Sequence, residues 1–161
     1  MTFKFAAVID APAEALFAFH RSPANLSLLM SGWKPFRLLS HSGSIEVGQR
    51  VWVEENVGIL PIVMCFQQTL CDPPIRFAET LVHGPFLRFD HEHRFEPNGG
   101  STCMTDVLDV ELPWWLGGRQ AMRRLVAPRL RTLFRYRQET LQRLAQQGRI
   151  AELAVQADPG D

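Results

Sequence analysis

The residues best suited to chemistry are His91 and His93, two positions apart in the segment Leu87–Glu96, and Asp106 in the segment that follows. Read as a strand, alternation puts Leu87, Phe89, His91, His93 and Phe95 on one face and Arg88, Asp90, Glu92 and Arg94 on the other. The charged set is the solvated face, so both histidines point inward among large apolar neighbours. The next strand, Thr102–Glu111, carries Thr102, Met104, Asp106, Leu108 and Val110 on one face. Asn98-Gly99 is a hairpin signal, and a four-residue loop over Pro97–Gly100 sets Phe95 opposite Thr102, His93 opposite Met104 and His91 opposite Asp106. Opposed Cβ atoms lie about 4.5–5.5 Å apart, so the spacing predicts a His91–Asp106 hydrogen bond. A buried imidazole oriented by a carboxylate can act as general acid or base, or anchor a ligand carbonyl or hydroxyl. It can equally be a satisfied hydrogen bond of the core, and the sequence leaves all three readings open. No metal or cofactor is assigned, because a third ligand such as Asp106 would have to converge on the histidines. Neither the cysteines nor His83 falls into register with them.

The C-terminal third supplies two further features. At 100° per residue, Val126, Leu130, Leu133, Phe134, Leu141 and Leu144 form one apolar helical stripe, and Arg137 falls within it. A guanidinium there must reach a carboxylate or carbonyl or snorkel to the rim, as a structural ion pair or as a contact for an acidic ligand head group. Upstream, Trp114-Trp115-Leu116-Gly117-Gly118 precedes a run of arginines, and no acidic residue occurs between Glu111 and Glu139. Aromatics beside a basic helix suit transient contact with a membrane surface, and a Gly-Gly joint beside two tryptophans suits a cavity lid. The lid is the favoured reading for the tryptophans. The arginines are read as solvated or paired with Glu54, Glu55, Asp90 and Glu92.

The elements that must position these residues follow from the pattern along the chain. Residues 3–9 alternate Phe3, Phe5, Ala7 and Ile9 against Lys4, a strand signature. Asp10 is placed to cap a helix with Pro12 in its first turn, ending before Pro23, and Ser22-Pro23 starts a short second helix over Asn25–Met30. From residue 36 to 111 the reading is β, with strands over Phe36–His41, Arg50–Val57, Ile62–Cys71, Ile75–Val82, Leu87–Glu96 and Thr102–Glu111. Turn residues separate them at Ser42-Gly43, Gly58, Asp72-Pro73-Pro74, Gly84-Pro85 and Pro97–Gly100. A helix then spans about Gly118 to Gln147, kinked or split by Pro128. The expected architecture is α+β, a helix grip. A curved antiparallel sheet of about seven strands wraps around the long C-terminal helix, with two short helices after the first strand. Residues 1–147 are expected to form one domain and 148–161 a disordered tail.

Bulk properties narrow the classes. The chain has 161 residues, 46% hydrophobic and 21% charged, ordinary values for a globular domain. Seventeen basic against seventeen acidic residues give no net charge, which disfavours a nucleic-acid binder. Three cysteines with no C-x-x-C pair read as reduced thiols in a cytoplasm. The apolar run at residues 3–9 stops at Asp10 and Pro12, too short for a signal segment. Phosphate-cradling loops and G-x-S-x-G are absent from the sequence.

Several stretches, in order, carry a resemblance. They are Ile9-Asp10-Ala11-Pro12-Ala13-Glu14 leading into Phe17, Pro73-Pro74-Ile75-Arg76-Phe77, Gly84-Pro85-Phe86, His91-Glu92-His93-Arg94-Phe95, Thr102-Cys103-Met104-Thr105-Asp106 and Phe134-Arg135-Tyr136-Arg137. Over residues 3–145 the chain resembles the START, polyketide-cyclase and birch-pollen-allergen superfamily (SRPBCC). The resemblance implies a cavity between sheet and helix for lipids, polyketides, quinones or steroids. It also implies a role as carrier, sensor or, in a minority of members, enzyme. The superfamily shares no universal catalytic set, so no catalytic residue is carried over. Trp114-Trp115 after Pro113 and Pro128 within the helix depart from its pattern.

The expected function is binding or carrying of a small apolar ligand by a monomer or homodimer. Phe89, Met104, Leu108, Val126, Leu130, Leu133 and Phe134 are expected to line the cavity, with Trp114 and Trp115 at its lid. His91, His93, Asp106 and Arg137 are its expected polar contacts. The alternatives are a cyclase, dehydratase or isomerase using His91 with Asp106, and a peripheral lipid-handling protein docking through Trp114-Trp115.

Overall fold

The computed structural model describes residues 1–34, 36–57 and 60–157. Seven antiparallel strands form one sheet: β1 (Thr2–Ile9), β2 (Phe36–His41), β3 (Arg50–Val57), β4 (Leu60–Asp72), β5 (Arg76–His83), β6 (Arg88–Asn98) and β7 (Ser101–Glu111). Strands β2 to β7 are ordered as a meander, and β1 closes the far edge on β7, giving the order β1-β7-β6-β5-β4-β3-β2. Two short helices, α1 (Ala13–Arg21) and α2 (Pro23–Leu29), link β1 to β2. The expected turn at Gly58 lies outside the described residues, as do residues 158–161.

Three local expectations are corrected. Asp10 does not cap α1: Pro12 occupies the N-cap position, and the Asp10 carboxylate accepts a hydrogen bond from Ser101 Oγ at 3.1 Å instead. The β6–β7 hairpin is tighter than a four-residue loop. Asn98 pairs with Ser101, and Gly99 and Gly100 take the turn at φ 58° and 96°, a left-handed pair that glycine adopts without steric cost. Residues 149–157 are not a loose tail but a helix, α5 (Arg149–Ala157), whose Ile150 joins the core around α1 and whose Ala154 is also buried. A short amphipathic segment becomes helical when a partner groove buries its apolar side.

The long helix is broken as Pro128 requires. A 3₁₀ turn at Trp114–Leu116 leads into α3 (Gly118–Ala121), a π-helical turn at Met122–Val126 and then α4 (Ala127–Gln146). Pro128 sits in the first turn of α4, where its missing N–H costs least, and the π turn absorbs the irregularity just before it.

The core is divided. One cluster, around Phe17, Phe77, Phe95, Met104, Leu141 and Ile150, fills the space under α1, α5 and the end of α4. A second, around Phe3, Leu108, Val110, Leu130 and Phe134, joins the start of α4 to β1 and β7. A third, around Val51, Val53 and Met64, covers β3 and β4. The second and third meet at Phe86 and through Phe66 on Phe89, and the space left between them is the cavity described next. Among the described residues, no helix is long and apolar enough to cross a membrane.

Candidate functional site

A cavity of about 180 Å³ lies between the α4 side and β3 to β6. Phe86, Phe89, Leu130, Leu133 and Phe134 make much of its wall, with Val51, Val53 and Met64 opposite and the exposed Leu125 at its rim. Val126 lines it too. Its polar wall is formed by Glu79, His91 and Arg137, and by Arg129 and Glu55, which pair at 2.7 Å.

The expected site residues divide by depth. Phe89, His91, Val126, Leu130, Leu133, Phe134 and Arg137 line the cavity. Met104 and Leu108 do not, because both are packed into closed core clusters on the sheet side. His93 and Asp106 also lie behind the wall, screened from the cavity. Trp114 and Trp115 are 82% and 63% exposed and are not among the residues that line the cavity. The 3₁₀ turn after Pro113 throws both rings outward, edge to face at 5.9 Å.

The His–Asp arrangement differs in register from the sequence reading while keeping its contact. The two-residue turn slides β7 along β6, so His93 faces Asp106 and His91 faces Leu108. The slide is two residues, which preserves every side chain's face. Asp106 consequently sits between the two histidines: Oδ1 lies 3.1 Å from His91 Nε2 and 2.8 Å from His93 Nδ1. The first is a hydrogen bond. The second is a close contact off the hydrogen-bond axis, so the buried His93 Nδ1 has no aligned partner.

Glu79 on β5 was not singled out by the sequence reading, although alternation along Phe77, Glu79 and Leu81 gives it the inward face. It pairs directly with His91 across β5 and β6, and its Oε1 lies 3.3 Å from His91 Nδ1. Gln68 on β4 donates to the other oxygen, Oε2, at 3.0 Å. A polar chain therefore crosses four strands beneath the helix, Gln68 to Glu79 to His91 to Asp106, with His93 alongside. His20 of α1 closes the group from above, its ring 5.7 Å from His93 and its Nδ1 2.7 Å from Leu16 O.

Burial and pairing set opposite charge states on these rings. Burial disfavours a charged His91, but its hydrogen bonds to Asp106 and Glu79 outweigh that and raise its pKa above the ordinary value. His93 is pushed down to about 3 by burial and by the neighbouring His91 charge, and His20 is lowered to about 4 chiefly by burial. Burial also opposes charge on the carboxyls. The His91 hydrogen bond nevertheless keeps Glu79 below its ordinary value, and the two imidazoles hold Asp106 well below the usual carboxylate range. Pairing thus favours the charged form of His91 and of both carboxyls, while His93 and His20 are held neutral.

Arg137 makes no ion pair among the described residues. It is half-buried on the cavity wall with its guanidinium 5.1 Å from the Phe134 ring, a cation–π contact. The arginines expected to pair with acidic residues do so in part, through Arg129 with Glu55. The three cysteines are free thiols.

A family model described as polyketide cyclase/dehydrase and lipid transport matches residues 9–134. The fold is similar to that of protein Ms6760 from Mycobacterium smegmatis (TM-score 0.69, 15% identity, 91% of this chain and 92% of that one). It is similar also to TTHA0849 from Thermus thermophilus (TM-score 0.63, 18% identity, 98% and 99%). Norcoclaurine synthase from Thalictrum flavum, solved in complex with dopamine and hydroxybenzaldehyde, aligns with TM-score 0.68 at 13% identity over 91% and 87% of the chains. No curated protein matches the sequence.

Proposed function

The chain belongs to the polyketide cyclase/dehydrase and lipid transport family, and from that premise we propose that it binds a small apolar molecule in the cavity between β3–β6 and α4, as a carrier or sensor. The observation that carries the reading is the cavity itself, an apolar void in an otherwise closed core with a few polar groups on one wall.

Its size selects the guest. At about 180 Å³ it is close to the roughly 150 Å³ void known to hold benzene and below the ~300–1,000 Å³ of sites for drug-sized ligands. One or two fused rings fit within it; a sterol or a two-chain lipid would have to extend past its rim at the exposed Leu125. Arg137 offers N–H donors and Glu79 an acceptor, so a ring bearing a carbonyl or hydroxyl is favoured over a bare hydrocarbon.

Catalysis by His91 as a general base has less support. Its Nδ1 faces Glu79 and its Nε2 faces Asp106, which leaves no ring nitrogen for a substrate proton. A second reading, docking on a lipid surface, is favoured by the exposed Trp114, Trp115 and Leu116 beside the exposed Arg119, Arg123 and Arg124. Flotation with anionic liposomes tests it, and equal flotation of wild type and a Trp114→Ala/Trp115→Ala variant removes it.

The main test is thermal shift against naphthols, hydroxynaphthoquinones and monocyclic phenols. A ligand at a hundred times its Kd stabilises by about 2.7 kcal/mol. For a chain of this length that raises Tm by roughly 5–10 °C. Val53→Trp, which puts a large ring into the void, should abolish the shift. No shift with any probe, or a shift that survives Val53→Trp, overturns the proposal.

A further inference from the structure

Glu79, His91 and His93 each present one ligand-type atom, and the three atoms lie within 4.8 Å of one another. Their arrangement has the features of a metal centre. The separation of His91 Nδ1 and Glu79 Oε1, 3.3 Å, is long for a charge-assisted hydrogen bond, normally about 2.7–2.9 Å. It matches the ~3.4 Å edge between two donors that each sit about 2.0–2.1 Å from a tetrahedral ion. The remaining atoms of both residues are already oriented from behind. His91 Nε2 meets Asp106 Oδ1 at 3.1 Å, and Glu79 Oε2 accepts from Gln68 Nε2 at 3.0 Å. A carboxylate behind a ligating histidine and a donor behind a ligating carboxylate are the usual outer contacts of metal sites. His93 adds an independent observation: it is 2% exposed, and its Nδ1, 2.8 Å from Asp106 Oδ1 but off the hydrogen-bond axis, has no aligned partner. A buried polar group left without a partner is costly, and an ion in the triangle would supply one.

We propose that Glu79, His91 and His93 form a binding site for one divalent transition-metal ion of the zinc or ferrous type, with Asp106 as the supporting carboxylate. Two imidazoles and one carboxylate suit these borderline ions over magnesium or calcium, which prefer all-oxygen ligands. Binding replaces the proton held between His91 Nδ1 and Glu79 and releases it to solvent, and the His93 ring shifts to close the triangle. Glu79 and His91 also line the cavity, so the open coordination position faces it. There the ion can polarise a carbonyl or hydroxyl oxygen of a bound molecule. The site does not depend on the identity, or the existence, of an apolar ligand.

The test is titration of metal-stripped full-length protein with Co²⁺, followed by visible d–d absorption, and then displacement by Zn²⁺. One equivalent should bind with tetrahedral or five-coordinate bands. His93→Phe keeps the ring stacked on Phe77, now at 4.1 Å, and removes the nitrogens; it should lose the bands, as should Glu79→Gln. Asp106→Asn should weaken binding roughly 10–100-fold with the bands retained. His83→Ala, which alters an exposed histidine outside the cluster, should change nothing. Circular dichroism checks that each variant is folded. No ordered bands in the wild type, or equal uptake by folded His93→Phe and Glu79→Gln, overturns the proposal and marks bound ions as adventitious. Thermal shift by naphthols on the metal-free wild type reports on the cavity separately, so the two proposals fail independently.

Discussion

Asp106 is the residue on which the polar layer turns, and replacing it by asparagine is the most informative single perturbation. Asp106→Asn keeps the volume and removes the charge, so no cavity enters the account. Asp106 is 2% exposed and its Oδ1 is 3.1 Å from His91 Nε2. Removing one partner of a buried pair costs about 3–5 kcal/mol, because the other charge is left without compensation. Glu79 still faces the second ring nitrogen at 3.3 Å, so the lower end, about 3 kcal/mol, is expected. In a chain of this length that corresponds to a fall in Tm of roughly 6–12 °C. The effect also has a pH signature. The folded-state pKa of His91 is raised, so its contribution is fully present below the unfolded value of 6.5 and is lost as pH rises through the folded value. The gap between wild type and Asp106→Asn must therefore be wider at pH 6 than at alkaline pH. Differential scanning calorimetry of metal-free protein across that range measures it. A drop under about 2 °C at pH 6, or a gap that widens with alkalinity, refutes the assignment of His91 as a cation held by Asp106.

Acid should destabilise the protein well above the carboxylate range. His20 and His93 are held neutral with pKa values lowered to about 4 and about 3, so the unfolded state binds more protons below pH 6.5. Urea unfolding should show stability falling steadily from pH 6.5 towards 4, and a flat profile contradicts the neutral, buried state of the two rings. Ile150→Ala should cost about 2–4 kcal/mol, because the side chain is fully buried between α5 and α1; a loss under 1 kcal/mol in chemical denaturation means that α5 is not docked. Gly32→Ala should destabilise by about 1–2 kcal/mol, since its Cβ would stand 2.7 Å from the Tyr136 hydroxyl that accepts the Gly32 N–H. Tyr136→Phe should relieve most of that clash and make the double variant better than additive, as a mutant cycle will show.

Much of the frame is legible in single stretches of sequence. The limits of β2 and β3, the inward face of β6 and the break at Pro128 follow from alternation, turn residues and the proline ring. Each is a local property, fixed by a period of two or by one residue's covalent geometry. The membership of the polar layer was only partly legible. His91, His93 and Asp106 were found because they interrupt apolar faces; Glu79 interrupts one too, between Phe77 and Leu81, but only the β5–β6 register shows that it meets His91.

What the tertiary structure alone decided concerns which rung meets which. A four-residue and a two-residue β6–β7 loop put the same residues inward, so alternation cannot separate them. Only closure of the sheet set His93 against Asp106 and left Asp106 between two rings. Likewise the apolar stripe of α4 fixes which side faces the sheet, but not how far the helix stands from β3 and β4, and that distance is the cavity. The outward turn of Trp114 and Trp115 and the docking of α5 belong to the same class. The physical reason is common to all of them. Periodicity determines the direction of a side chain about its own backbone, whereas register, gap and docking depend on the free energy of surfaces remote in sequence.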